Sequence, residues 1–198
     1  MKIEFNQNGS GQLQIEVLKT ICGDIENQKL VDLCAGSAPQ TGLMEFKEKV
    51  HIDCIDRELP GNGKLIVSDV IEYLKQAKKD KAKFDVSIST DTIEHFREKD
   101  ALEFLTLASN IATKQVWFTP LGAYCMTDDL NDNNPDSHKS AWTPEKLEEM
   151  MPGQWAFLVF PQWHPTLSDN GLGAFFFWTT KNLKKDFDRV ELELKHLI

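Results

Sequence analysis

From Lys29 to Thr119 the chain alternates short apolar runs with segments of helical spacing, and this alternation constrains the fold more than any other feature. Residues 29–33, 50–55, 64–67, 84–89 and 115–119 read as five strands. Between them, a helix is predicted from the turn after residue 33 to about residue 47. Residues 69–79 place Val70, Ile71, Leu74 and Ala77 on one helical face, and residues 98–112 do the same with Ala101, Phe104, Leu105, Ala108 and Ile111. Strands alternating with helices imply a parallel sheet covered on both faces.

The pattern changes after residue 120. Residues 121–141 form a long polar stretch, a candidate lid, since connections of that length are uncommon in compact domains. A short helix should follow, with Thr143 as N-cap and Pro144 at its first position. Two apolar runs, 155–160 and 174–180, have no helix-length segment between them and should pair as an antiparallel hairpin. The run AFFFW suits a strand buried on both faces, inserted antiparallel beside the fifth strand. Residues 184–197 are a candidate C-terminal helix, and 14–22 a helix ahead of the first strand. The expected class is α/β: a three-layer sandwich with a mostly parallel seven-stranded sheet and a C-terminal antiparallel hairpin. Residues 1–198 read as a single domain, with 1–28 as an N-terminal extension.

Net charge is −9, which disfavours nucleic acid as a partner because phosphate contacts need clustered Lys and Arg. The basic run from Lys75 to Lys83 reads as a solvated helix end. No apolar run is long enough to span a bilayer and no signal-peptide pattern opens the sequence, so a cytoplasmic protein without a membrane partner is expected. Cys22, Cys34, Cys54 and Cys125 are scattered, as expected of free, buried thiols in a reducing compartment.

Candidate ligand groups fall at successive strand ends. The first strand carries Asp32 and runs into Gly36 and Ser37, a small-residue turn through which a backbone can approach a nucleotide-like ligand. Asp56 follows Gly36 by 20 residues, the offset at which a carboxylate can accept hydrogen bonds from a ribose diol. Ser68 and Asp69 end the third strand, and Asp69 doubles as an N-cap candidate. Ser89, Thr90 and Asp91 end the fourth.

This set, over about residues 29–180, resembles the seven-stranded S-adenosylmethionine-dependent methyltransferases. VDLCAGS resembles the family's glycine-rich first motif, Asp56 with Ile55 and Arg57 the ribose-binding position, Asp69 with Val70 the adenine side, and STDTIEHF the fourth-strand motif. The resemblance implies S-adenosyl-L-methionine as cofactor, held by Asp32, Gly36, Ser37, Asp56, Arg57, Asp69, Val70, Ser89, Thr90 and Asp91. It implies methyl transfer to an unidentified acceptor, with a small molecule preferred. A protein acceptor, a non-catalytic S-adenosylmethionine-binding module and a nicotinamide dehydrogenase are the rival readings. The sequence departs from the motif at Cys34 and Ala38, where the family usually carries glycine.

On the acceptor side, Tyr124, His138, Trp142, Trp163 and His164 are the available polar and aromatic residues, with His138 the first candidate for a base and His164 the second. His95 reads as a structural histidine. Asp129, Asn131 and Asn133 match the first half of a calcium loop, but Asn134 and Ser140 stand where glycine and glutamate are required. No HxH or HxxxH spacing supports a metal site, and none is expected.

Overall fold

The computed structural model describes residues 1–5, 11–38, 40–122, 134, 137–150, 155–161 and 172–198. Its strands are β1 (Lys2–Glu4), β2 (Lys29–Leu33), β3 (Glu48–Asp53), β4 (Lys64–Val67), β5 (Phe84–Thr90), β6 (Ala112–Pro120), β7 (Ala156–Phe160) and β8 (Gly173–Thr179). Its helices are α1 (Gly11–Cys22), α2 (Val70–Lys79), α3 (Glu98–Ser109), α4 (Pro144–Met150) and α5 (Leu183–Glu193). One sheet runs in the order β1-β7-β8-β6-β5-β2-β3-β4. It therefore has eight strands, not seven. The extra one, β1, is three residues long and lies parallel to β7 at the edge. So short a strand has too few side chains to show a period of two.

Strand β8 is antiparallel to both its neighbours, β6 and β7, as its sequence implied. Phe175 and Phe177 join the core on one face, with α1 and α5, while Phe176 joins the core on the other, with α2 and α3. Each face of the strand thus buries aromatic rings under helices. On the second face Phe176 meets Trp155, Trp117 and Phe157, and Trp117 meets Phe104 edge-on at 4.9 Å. At roughly 1.5–3 kcal/mol per buried large apolar side chain, this aromatic layer is a main source of stability at the centre of the sheet.

Among the described residues, the helix predicted between β2 and β3 is absent. A single 3-10 turn, Thr41–Leu43, takes its place. The space a side chain would need at Gly42 is occupied by Pro60, so the loop after β3 packs directly on this turn. Gly42 therefore serves the loop that follows β3, not a helix lying on the sheet. No helix joins β3 to β4 either. Elsewhere local signals agree with the outcome. Asp69 caps α2 by accepting from Glu72 N at 3.0 Å, and Thr143 Oγ1 accepts from Lys146 N at 3.1 Å. Among the described residues, no helix is long and apolar enough to cross a membrane.

Candidate functional site

The loops after β2, β3, β4 and β5 meet at the C-terminal edge of the sheet. After Leu33 the backbone turns through left-handed conformations at Cys34, Gly36 and Ala38, with φ of 58°, 55° and 47°. Glycine adopts this region freely, whereas other residues held there cost about 1–3 kcal/mol each. The loop thus keeps the path of a glycine-rich turn although Cys34 and Ala38 replace two glycines. Among the described residues, a side chain placed at Gly36 would meet no atom within 4 Å, so the turn is open on that side. Ser37 beside it is exposed.

Asp32 lies beneath this loop and is only 3 % exposed. The Thr41 hydroxyl and His51 Nδ1, the latter at 3.0 Å, both donate to its Oδ2. One carboxylate therefore ties β2, β3 and the Thr41 turn together. Its position supports the loop from below and does not present the carboxylate to a ligand.

Asp53, the last residue of β3, had no role in the sequence reading. Its Oδ2 accepts from Gly36 N at 2.7 Å, its Oδ1 accepts from Ile55 N at 2.9 Å, and Arg57 approaches Oδ1 at 3.5 Å. Its signal was the placement of an acid at the very end of an apolar strand, 17 residues after Gly36. Asp56 sits further out, exposed in the turn after the strand. Asp69 is exposed and occupied as the α2 cap, with Val70 buried behind it. Ser89 is buried and donates to Leu33 O at 2.8 Å, so it too braces the first loop. Thr90 stands at the strand end, its carbonyl accepting from Thr92 Oγ1.

A second group lies just past β5. Asp91 has a left-handed φ of 49°. Burial of its surroundings pushes its carboxyl up to about 7, although the side chain reaches solvent and hydration limits the shift. Glu94 is 2 % exposed, and burial, reinforced by the Asp91 charge, pushes its carboxyl up to about 8. Thr119 Oγ1 donates to Glu94 Oε2 at 2.9 Å, while the buried Oε1 has no hydrogen-bond partner among the described residues. His95 Nε2 lies 3.9 Å from that Oε1. His138 sets its ring edge-on to His95, with centroids 4.8 Å apart. One ligand atom from each of Glu94, His95 and His138 falls within 4.8 Å of the others.

His138 is thus brought to the β5 edge, as a base candidate would require. Trp142 is fully buried, with its indole N–H on Ser140 Oγ at 2.7 Å and Lys146 5.0 Å from its ring centroid, so it is a core residue and not a stacking surface. Tyr124, Trp163, His164, Cys125 and residues 127–133 lie outside the described residues. Cys54 is exposed rather than buried because it lies one residue beyond the end of β3. Burial pushes the Cys22 thiol up to about 12, which leaves it an inert core group.

A large cavity of about 1030 Å³ opens at the opposite edge of the sheet, lined by Lys19, Lys114, Asp186 and Arg189 among others. Lys114 pairs with Asp186 at 2.6 Å and donates to Ile21 O, while Arg189 reaches Asp186, Thr20 O and Ile21 O. Burial works to raise the Asp186 carboxyl, but hydrogen bonds from Lys114 and Arg189 outweigh it and hold its pKa below the ordinary value. These cations satisfy the last carbonyls of α1 and fasten α5 to the sheet. This is a structural network.

No protein-family model matches this sequence, and no curated protein matches it either. Solved structures do. The methyltransferase domain of bacterial CtHen1 is 16 % identical with a TM-score of 0.56, over 85 % of this chain and 98 % of that one. The small RNA methyltransferase HEN1 is 16 % identical with a TM-score of 0.57, over 86 % of this chain and 25 % of HEN1. SMU.776 complexed with SAH is 16 % identical with a TM-score of 0.56, over 85 % of this chain. This chain spans about half the length of SMU.776, 49 %. The fold is that of the Rossmann-like S-adenosylmethionine-dependent methyltransferases.

Proposed function

We propose that the chain is an S-adenosylmethionine-dependent methyltransferase whose cofactor lies across the C-terminal ends of β2, β3 and β4. The observation that carries this reading is the turn at Gly36. It is open to solvent on one side and held on the other by a carboxylate from the next strand, Asp53. Apolar residues exposed nearby fit an adenine ring. Ile55 is 51 % and Val67 52 % exposed, and Val67 is the register partner of Asp53. Unpaired apolar surface of this kind at the rim of a crevice is what a planar base would cover.

In this reading Asp53, rather than Asp56, takes the ribose-binding role. Asp53 stands beside the small-residue turn, where its buried carboxylate, already accepting from Gly36 N and Ile55 N, would accept from a ribose diol as well, while Asp56 lies in the exposed turn beyond. Cys34 and Ala38 do not argue against binding, because both residues adopt the conformation that glycine would supply. The cofactor, when bound, supplies an activated methyl group, so the protein's task is to place the acceptor in line and accept a proton where the acceptor has one. His138, with its ring edge-on to His95, stands at the β5 edge, on the side where the acceptor would enter.

A small-molecule acceptor is preferred. The likeness to a small RNA methyltransferase raises RNA as the second reading, and the net charge of −9 weighs against it. Calorimetry with S-adenosylmethionine and SAH tests the cofactor assignment. The full chain should bind both, and Asp53→Asn should weaken binding by about 1–3 kcal/mol, roughly 5- to 150-fold. Asp56→Asn should change affinity much less. Equal affinity in the parent and Asp53→Asn contradicts the assignment, as does absence of binding by the parent.

A further inference from the structure

We infer that Glu94, His95 and His138 form a binding site for a single divalent transition-metal ion. Three observations carry it. The first is the donor set: one carboxylate oxygen and two imidazole nitrogens, from positions 94, 95 and 138, converge within 4.8 Å of one another. Around a bound ion, with ligand distances of about 2.0–2.2 Å, such atoms stand roughly 3–4 Å apart, so closure requires side-chain adjustments of the order of 1 Å.

The second is Glu94 Oε1. It is buried, has no hydrogen-bond partner among the described residues, and faces His95 Nε2 at 3.9 Å. A carboxylate oxygen left this way costs stability unless something arrives to satisfy it. The other oxygen is oriented by the Thr119 hydroxyl, which is the usual arrangement for a ligating carboxylate.

The third is how firmly the two ligand segments are joined. Lys139 N and Ser140 N both donate to Glu94 O, at 2.7 and 3.0 Å. Ser140 Oγ donates to Ile93 O at 3.1 Å. His95 Nδ1 lies 3.3 Å from Ser137 O, and a carbonyl can only accept, so Nδ1 carries the hydrogen. In the neutral ring this leaves the lone pair on Nε2, the nitrogen that lies 3.9 Å from Glu94 Oε1. Metal-bound histidines generally donate their other ring N–H to a carbonyl or carboxylate in this way.

One carboxylate with two imidazoles suits manganese, iron, cobalt, nickel or zinc better than magnesium or calcium, which prefer all-oxygen sites. Three protein ligands leave positions open for water or for an oxygen of the acceptor. That last role rests on the methyltransferase reading. Ion binding itself does not.

The test is a titration of the full chain, freed of metal by chelation, with Co²⁺ alone and without S-adenosylmethionine, followed by calorimetry and visible absorption. One ion per chain should bind with micromolar or better affinity and give d–d bands in the visible. His138→Ala and Glu94→Gln should each weaken binding at least tenfold, while His196→Ala, at the distant Glu16 pair, should leave it unchanged. Glu94→Gln keeps an acceptor for Thr119, and if it does not fold, His138→Ala at a half-buried position decides alone. Absence of stoichiometric binding overturns the inference, as does undiminished affinity in His138→Ala. Because no S-adenosylmethionine is present, failure here is distinct from failure of the cofactor assignment.

Discussion

Phe176→Ala should destabilise the protein by about 3–5 kcal/mol, the range for removing a fully buried aromatic ring. Phe176 is wholly buried in the middle of β8, and its ring contacts Trp155, Trp117 and Phe157. The strand is paired on both sides, by β6 and β7, so the backbone has little room to collapse into the cavity. Domains of this size have total stabilities of about 5–15 kcal/mol, so the loss is a large fraction of the whole. Urea unfolding followed by circular dichroism measures it. A change below about 1 kcal/mol would show that β8 is not packed between two aromatic layers.

Asp32→Ala should be nearly as damaging, at about 3 kcal/mol, and should also disturb the loop at Gly36. The carboxylate accepts from Thr41 and from His51 while buried, and its loss leaves both donors without their acceptor. His51 cannot turn away, because its ring lies against Gly63 so closely that a Cβ there would overlap it. The same urea experiment reads the stability. Asp32→Asn, which keeps one acceptor oxygen, should recover part of the loss. Equal, small effects in both variants would mean that Asp32 does not brace the loop.

The strands from β2 to β6, with helices α2 and α3 between them, were legible from their apolar runs and helical spacing. Asp69 and Thr143 announced their helices through capping chemistry that is local in sequence. The missing helix after β2 was not legible. In its place the Thr41 turn packs against Pro60 at Gly42, a contact between segments that neither stretch reveals alone. Strand β1 was hidden by its length.

The candidate site divides in the same way. The order of acids at the strand ends could be read, yet which acid touches which loop could not. Asp32 and Ser89 are bonded away from the crevice, and Asp53 takes the Gly36 amide that no spacing rule had assigned to it. The Glu94–His95–His138 group depends on hydrogen bonds spanning more than forty residues, such as His95 to Ser137, separated by 42. Spacing rules for metal ligands look for close pairs on one helix or hairpin, and a site assembled by tertiary contact escapes them.

The central claim is that S-adenosylmethionine binds across the C-terminal ends of β2, β3 and β4. Amide chemical shifts of the isotope-labelled full chain, followed during titration with SAH, test it most directly. Saturable shifts at Gly36, Ser37, Asp53, Ile55 and Ser68 are the result this account predicts. Absence of saturable shifts would contradict it, and so would shifts confined to Lys19, Gly23, Asp24 and Lys181, which line the large cavity at the opposite edge of the sheet.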